Sequence, residues 1–128
     1  MLPVFANEGE LPEDCVYHDW ARIFQETGNL TGRSWYITEH WKEWLREAGF
    51  TEKIHTNQVK LPIGSWPKNR VLKEIGTFNR LSIETGLDGF ATYVCKTVLG
   101  WHDVEIQLLL ERMRATVKNP KLHAYFAL

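Results

Sequence analysis

The 128-residue chain is poor in several features that would direct it to a particular partner or compartment. Its 15 Lys and Arg residues are balanced by 16 Asp and Glu, and the cations do not cluster. Nucleic acid and anionic membrane surfaces are therefore not expected partners. Cys15 and Cys95 are the only cysteines, too few for a disulfide framework, and both read as reduced core residues. The opening Met1-Leu2-Pro3-Val4-Phe5 has no basic segment and no apolar run long enough for a secretory signal. No window approaches the roughly 20 apolar residues of a membrane span. A cytoplasmic protein is the expectation, and the sequon at Asn29-Leu30-Thr31 then carries no meaning. No two histidines stand at i, i+4 on one helix, and no Ser-His-acid or Gly-x-Ser-x-Gly arrangement occurs. Neither a metal site nor a bound cofactor is expected.

Apolar and aromatic surface is what the chain does have. Hydrophobic residues make up 44%, and six are tryptophan. That is enough for one domain, residues 1–128, with 1–12 as an irregular lead. Periodicity at helical spacing predicts five helices. The first runs over 13–27, with Val16, Trp20, Ile23, Phe24 and Thr27 inward, and Gly28 as its stop. The second runs over 34–48 on Ile37, Trp41, Trp44, Leu45 and Ala48, closed by Gly49 with Phe50 folding back as in a Schellman motif. The third runs over 67–85 with Val71, Leu72, Ile75, Phe78 and Ser82 or Ile83 inward. Gly76 inside it marks close packing, and Gly86 breaks the pattern. The fourth covers 87–99 on Phe90, Ala91, Val94 and Val98. The fifth covers 102–118 on Ile106, Leu109, Leu110, Met113 and Val117. Residues 51–61 read as an edge strand, antiparallel to a terminal strand over 121–128. The fold class is α+β, mainly helical: about five helices with one short antiparallel strand pair.

Several short motifs stand in a fixed order. They are Leu11-Pro12-Glu13-Asp14 with Trp20, Gly32-Arg33, Ala48-Gly49-Phe50, Leu61-Pro62-Ile63-Gly64-Ser65-Trp66-Pro67, Leu99-Gly100-Trp101 and His123-Ala124-Tyr125-Phe126. In this order and spacing the chain resembles the last part of fungal class I S-adenosylmethionine methyltransferases, the group tied to secondary metabolism and its regulation. The resemblance runs from about Leu11 to Phe126. It implies a truncated remnant of that fold, because the cofactor-binding half lies in an earlier part of such proteins. Nothing in these residues offers the glycine-rich turn after a first strand, nor the acidic residue that grips the ribose. Methyl transfer by these residues alone is not expected. The resemblance also implies that helix faces and a strand edge lose their covering sheet, and a homodimer that buries them is expected.

The candidate acid–base residues are His40 with Glu39, and His18 with Asp19. Sequence neighbours on a helix point about 100° apart, so neither pair is a preformed dyad. His40 lies among aromatics and is the better placed to serve an enol at neutral pH. Trp35, Tyr36, Trp41, Trp66, Lys68 and Tyr93 are the candidate substrate-binding residues. They form either an aromatic-lined pocket for a hydrophobic small molecule or core and interface packing. Three functional readings compete. One is a cofactor-free enzyme, guiding cyclisation or isomerisation of a hydrophobic polyketide- or terpenoid-type intermediate. Another is a truncated methyltransferase subunit that needs a partner. The last is a non-catalytic dimeric interaction module. The Met1 start and a self-sufficient core point to a free-standing product and favour the first.

Overall fold

The computed structural model describes residues 4–35, 40–50 and 54–128. It is mainly helical with a small antiparallel sheet, as the pattern predicts, but among the described residues there are four helices rather than five and three strands rather than two. In chain order they are β1 (Val4–Ala6), α1 (Val16–Thr31), α2 (Trp41–Glu47), β2 (Lys60–Pro62), α3 (Arg70–Tyr93), α4 (Asp103–Val117) and β3 (Ala124–Ala127). A π turn over Val94–Val98 continues α3, and a 3-10 turn over Pro120–Leu122 leads into β3.

The expected terminal strand pair is present in shorter form. β3 pairs antiparallel with β2, Leu61 opposite Phe126. Its other side pairs with β1 in the segment expected to be irregular, Phe5 opposite Tyr125. The sheet order is therefore β1-β3-β2. β1 lacks the length and turn residues that make a strand legible alone, and pairing with the chain's far end is what forms it.

α1 begins four residues after Pro12 and passes through Gly28. Gly32, at φ 67°, ends it in the left-handed region that glycine adopts readily. Gly28 has a different role: a Cβ there would stand 3.0 Å from the Arg33 carbonyl oxygen and 3.3 Å from the Trp35 ring. α2 is shorter than expected, and residues 36–39, including Ile37, lie outside the described residues. It closes as predicted: Phe50 N–H donates to the Leu45 carbonyl and Gly49 N–H to that of Arg46, the two bonds of a Schellman motif. It buries no residue, and Trp44 and Ala48 of the expected stripe are exposed.

The largest correction concerns α3. Gly86 does not divide it, so the expected third and fourth helices are one helix of 24 residues. An interior glycine costs about 1 kcal/mol against alanine. Buried Leu87 and Ala91, in the turns just after that point, offset it. Ion pairs to α4 also cross this region, Asp88 to Arg114 at 2.6 Å and Glu84 to Lys118 at 3.6 Å. The predicted inward stripe faces outward. Val71 is 62% exposed, Ile75 40% and Phe78 72%. The reason is Gly76. Its backbone packs directly on Gly64, whose N–H donates to the Gly76 carbonyl at 2.9 Å. At about 100° per residue, turning Gly76 inward turns Phe78 roughly 200° away.

The core lies between α1, α4, the second half of α3 and one face of the sheet. Val16, Trp20, Ile23, Phe24 and Thr27 of α1 are buried there as predicted. So are Ile106, Leu109, Leu110, Met113 and Val117 of α4. The one polar member among these, Thr27, donates its hydroxyl to the Ile23 carbonyl at 2.8 Å. Among the described residues no helix is long and apolar enough to cross a membrane.

Gly76→Ala is expected to lower the unfolding free energy by about 1–3 kcal/mol through overpacking against Gly64, despite alanine's better helix propensity. Leu110→Ala is expected to cost about 2–5 kcal/mol by cavity formation. Urea denaturation measures both, and an unchanged midpoint for Gly76→Ala contradicts the assigned contact.

Candidate functional site

The Leu61–Pro67 loop is built around its tryptophan. Trp66 Nε1–H donates to the Ala124 carbonyl at 3.0 Å, and the ring stacks on His123 with centroids 5.2 Å apart. Ile63 N–H donates to the same carbonyl at 2.8 Å. Asn79 Nδ2 donates to the Pro62 carbonyl at 2.8 Å, which ties the loop to α3. The loop therefore locks α3 to the strand pair. Beside it lies a shallow cavity of about 230 Å³ that Trp66 and Lys68 line together with Lys60, Asn7 and Leu72. Lys60 is held at its edge by Asn7 Oδ1 at 3.2 Å and by the Tyr125 ring at 4.6 Å.

A larger groove of about 590 Å³ opens where β1 meets the start of α1. Val4, Phe5, Leu11 and Tyr125 form its apolar part, with Glu10, Glu13 and His18 as polar groups. Phe5 and Tyr125 stack with ring centroids 5.7 Å apart. A third feature is a small apolar cavity of about 30 Å³ among Val4, Tyr17, Trp20, Leu87, Phe90 and Phe126. Its size admits no more than a water or a methyl group.

The structure brings together only some of the candidate residues. Trp66 and Lys68 share a cavity, and His18 lines the groove at β1. Asp19, next to His18, instead bridges α1 to α4, with Arg22 at 3.0 Å and Arg112 at 3.1 Å. His40 caps the start of α2, its ring 6.0 Å from that of Trp44 and its Nδ1 3.9 Å from Glu43. It lines none of the cavities described above. Trp35 packs edge-on against Phe24 at 5.1 Å, Trp41 is half-buried on α2, and Tyr93 is 67% exposed at the end of α3. Glu39 and Tyr36 lie outside the described residues. Phe5, Glu10, Leu11, Glu13 and Tyr125 were not among the candidates. Only the pairing of the two chain ends places them in one groove.

Burial pushes the Tyr17 phenol well above its ordinary pKa, and the thiols of Cys15 and Cys95 upward as well. Neither cysteine has the electropositive, accessible setting of a nucleophile.

Comparison with known proteins finds similarity to proteins of the kind that the motifs resemble, fungal methyltransferases and regulators of secondary metabolism. No family model matches the chain, and no solved structure matches it. It is 29% identical over 123 residues to Methyltransferase pytC of Aspergillus terreus, covering 96% of this chain and 38% of that protein. It is 26% identical over 124 residues to Probable methyltransferase tdiE of Emericella nidulans, covering 97% and 39%. To the Secondary metabolism regulator LAE1 of Cochliobolus heterostrophus it is 24% identical over 116 residues, covering 90% and 38%. The chain thus spans less than two-fifths of the length of these curated relatives.

Two measurements check the site. Trp66→Phe removes the bond to Ala124 and is expected to cost about 1 kcal/mol. For the titrating groups, the unfolded chain ionises at ordinary pKa values while the folded chain stays neutral. Stability is full below about pH 8.5 and falls as pH rises through the thiol and then the phenol range. Tyr17→Phe is expected to flatten the loss above about pH 10 in denaturation curves taken at successive pH values. A wild-type slope in that variant contradicts the burial assigned to Tyr17.

Proposed function

We propose that these residues form the substrate-side portion of a methyltransferase-like protein of fungal secondary metabolism. In this reading methyl transfer needs a cofactor-binding portion that extends the sheet at β1. One observation carries it. β3 lies between β1 and β2, so β1 is an edge strand among the described residues, open on the side away from β3. An open edge presents unpaired N–H and C=O groups ready for another strand. The residues also lack a glycine-rich cofactor turn. The Trp66–Lys68 cavity and the Phe5–Tyr125 groove are then walls of a substrate site that the added portion closes. We assign the protein to the cytoplasm, where Cys15 and Cys95 stay reduced.

The chain alone is expected to give no heat on titration with millimolar S-adenosylmethionine. Joined to the cofactor-binding portion of the Aspergillus terreus relative, it is expected to bind. Binding by the chain alone overturns the proposal, and so does a joined protein that folds by circular dichroism but does not bind.

A second reading is cofactor-free cyclisation or isomerisation of a hydrophobic polyketide- or terpenoid-type intermediate. The observation that favours it is His18 beside the apolar, aromatic groove at β1. It ranks below the first because the groove is open to solvent, and such chemistry depends on excluding water from the reacting groups. Turnover of an intermediate by the chain alone, lost in His18→Ala, would reverse that ranking.

A further inference from the structure

The outward face of α3 carries an inference that goes beyond this functional reading and does not rest on it. At about 100° per residue, Val71, Ile75, Phe78, Ser82, Gly89 and Tyr93 fall within an arc of roughly 60°. That arc points away from buried Leu87 and Ala91. Val71, Phe78 and Tyr93 are 62%, 72% and 67% exposed, and Leu81 and Phe90 on the flanks are 55% and 51% exposed. An apolar stripe of this kind belongs against another surface.

We propose that this stripe is the interface of a two-fold homodimer in which α3 packs antiparallel on α3 of a second copy, with Phe78 of each chain seated against Gly89 of the other. Three properties of the stripe select a second copy. The first is shape. The N-terminal half is bulky, with Val71, Ile75 and Phe78. Towards its C-terminal end it has Ser82 and Gly89 before Tyr93, and a Cβ at Gly89 would point into open space. A parallel pair would set bulk on bulk and leave an empty notch over Gly89. An antiparallel pair seats Phe78 over Gly89 at two symmetric points and sets Tyr93 beside Glu74 of the other copy, as a self-complementary two-fold contact allows.

The second property is area. Taking aromatic side chains at 150–250 Å² each, the exposed apolar side chains of the stripe and flanks offer roughly 600 Å² per copy. Two copies would bury about 1,200 Å², the lower end of specific stable interfaces. The third is charge. Glu74 beside the stripe is paired with Arg70 at 3.3 Å, and Asp88 with Arg114 at 2.6 Å. These carboxylates are balanced within their own chain, so two copies approach without net repulsion at the seam.

Sedimentation equilibrium of the 128-residue chain at micromolar concentration is expected to give twice the 15.0 kDa chain mass. Phe78→Asp is expected to shift it to monomer, and Val104→Asp, at an exposed site on α4, to leave the dimer intact. The double variant Phe78→Cys with Gly89→Cys is expected to form a covalent dimer on mild oxidation. These positions are about 16 Å apart along one helix, so they bridge only between copies. A monomeric wild-type chain overturns the proposal. So does a dimer that survives Phe78→Asp. In the variants with one cysteine, Phe78→Cys cross-linking as readily as the double variant would mean a parallel pair and also overturns it.

Discussion

The contact of Gly64 with Gly76 is the constraint on which the rest of the arrangement depends. Two backbones meet there with no side chain between them, and the Gly64 N–H bonds to a carbonyl of the helix. At Gly76 a Cβ would collide with the Gly64 carbonyl oxygen, and Gly64 itself takes a φ of 93°, which favours glycine. It fixes the distance of α3 from the strand pair and also the rotation of α3 about its own axis. Trp66 and Asn79 reinforce the joint with bonds to Ala124 and Pro62, so the loop, the terminal strand and the helix hold one another.

The rotation of α3 has consequences at both ends of the molecule. Inward, it sets Leu87 and Ala91 against α4 and completes the core with α1 and the sheet. Outward, it displays an apolar stripe that an isolated helix of this sequence would be expected to bury. The sheet has β3 in the middle, with β1 and β2 at its edges among the described residues. The open edge and the outward stripe are separate features. The first underlies the reading of this chain as the substrate-side portion of a methyltransferase-like fold, and the second underlies the proposed self-association of α3.

Much was legible in the residues. The inward faces of α1 and α4 followed from apolar spacing alone, because each packs one stripe against one core. The Schellman closure of α2 followed from Gly49 and Phe50. The motif order identified the resemblance. Other features depended on distant contacts. Gly86 reads as a breaker until the packing of Leu87 and Ala91 is known. Gly28 reads as a stop until Trp35 is seen beside it. β1 is three residues long and forms only by pairing with the chain's other end. Of the candidate site, Trp66 and Lys68 were legible as neighbours in sequence. The groove at β1 was not, since Phe5 and Tyr125 are separated by nearly the whole chain. His40 and His18 were singled out as a residue type suited to acid–base work, and residue type does not say which surface each one joins.

By itself the sequence determined where α1 and α4 lie, which of their faces are apolar, and which proteins the ordered motifs resemble. Each is a property of local spacing or of residue order. The tertiary structure decided the direction in which α3 faces, because periodicity shows that a stripe exists but not what it meets. It also decided which strand lies at the sheet edge and which side chains share a cavity. Those depend on one backbone contact, Gly64 on Gly76, and on the pairing of Val4–Ala6 with Ala124–Phe126, interactions between residues far apart along the chain.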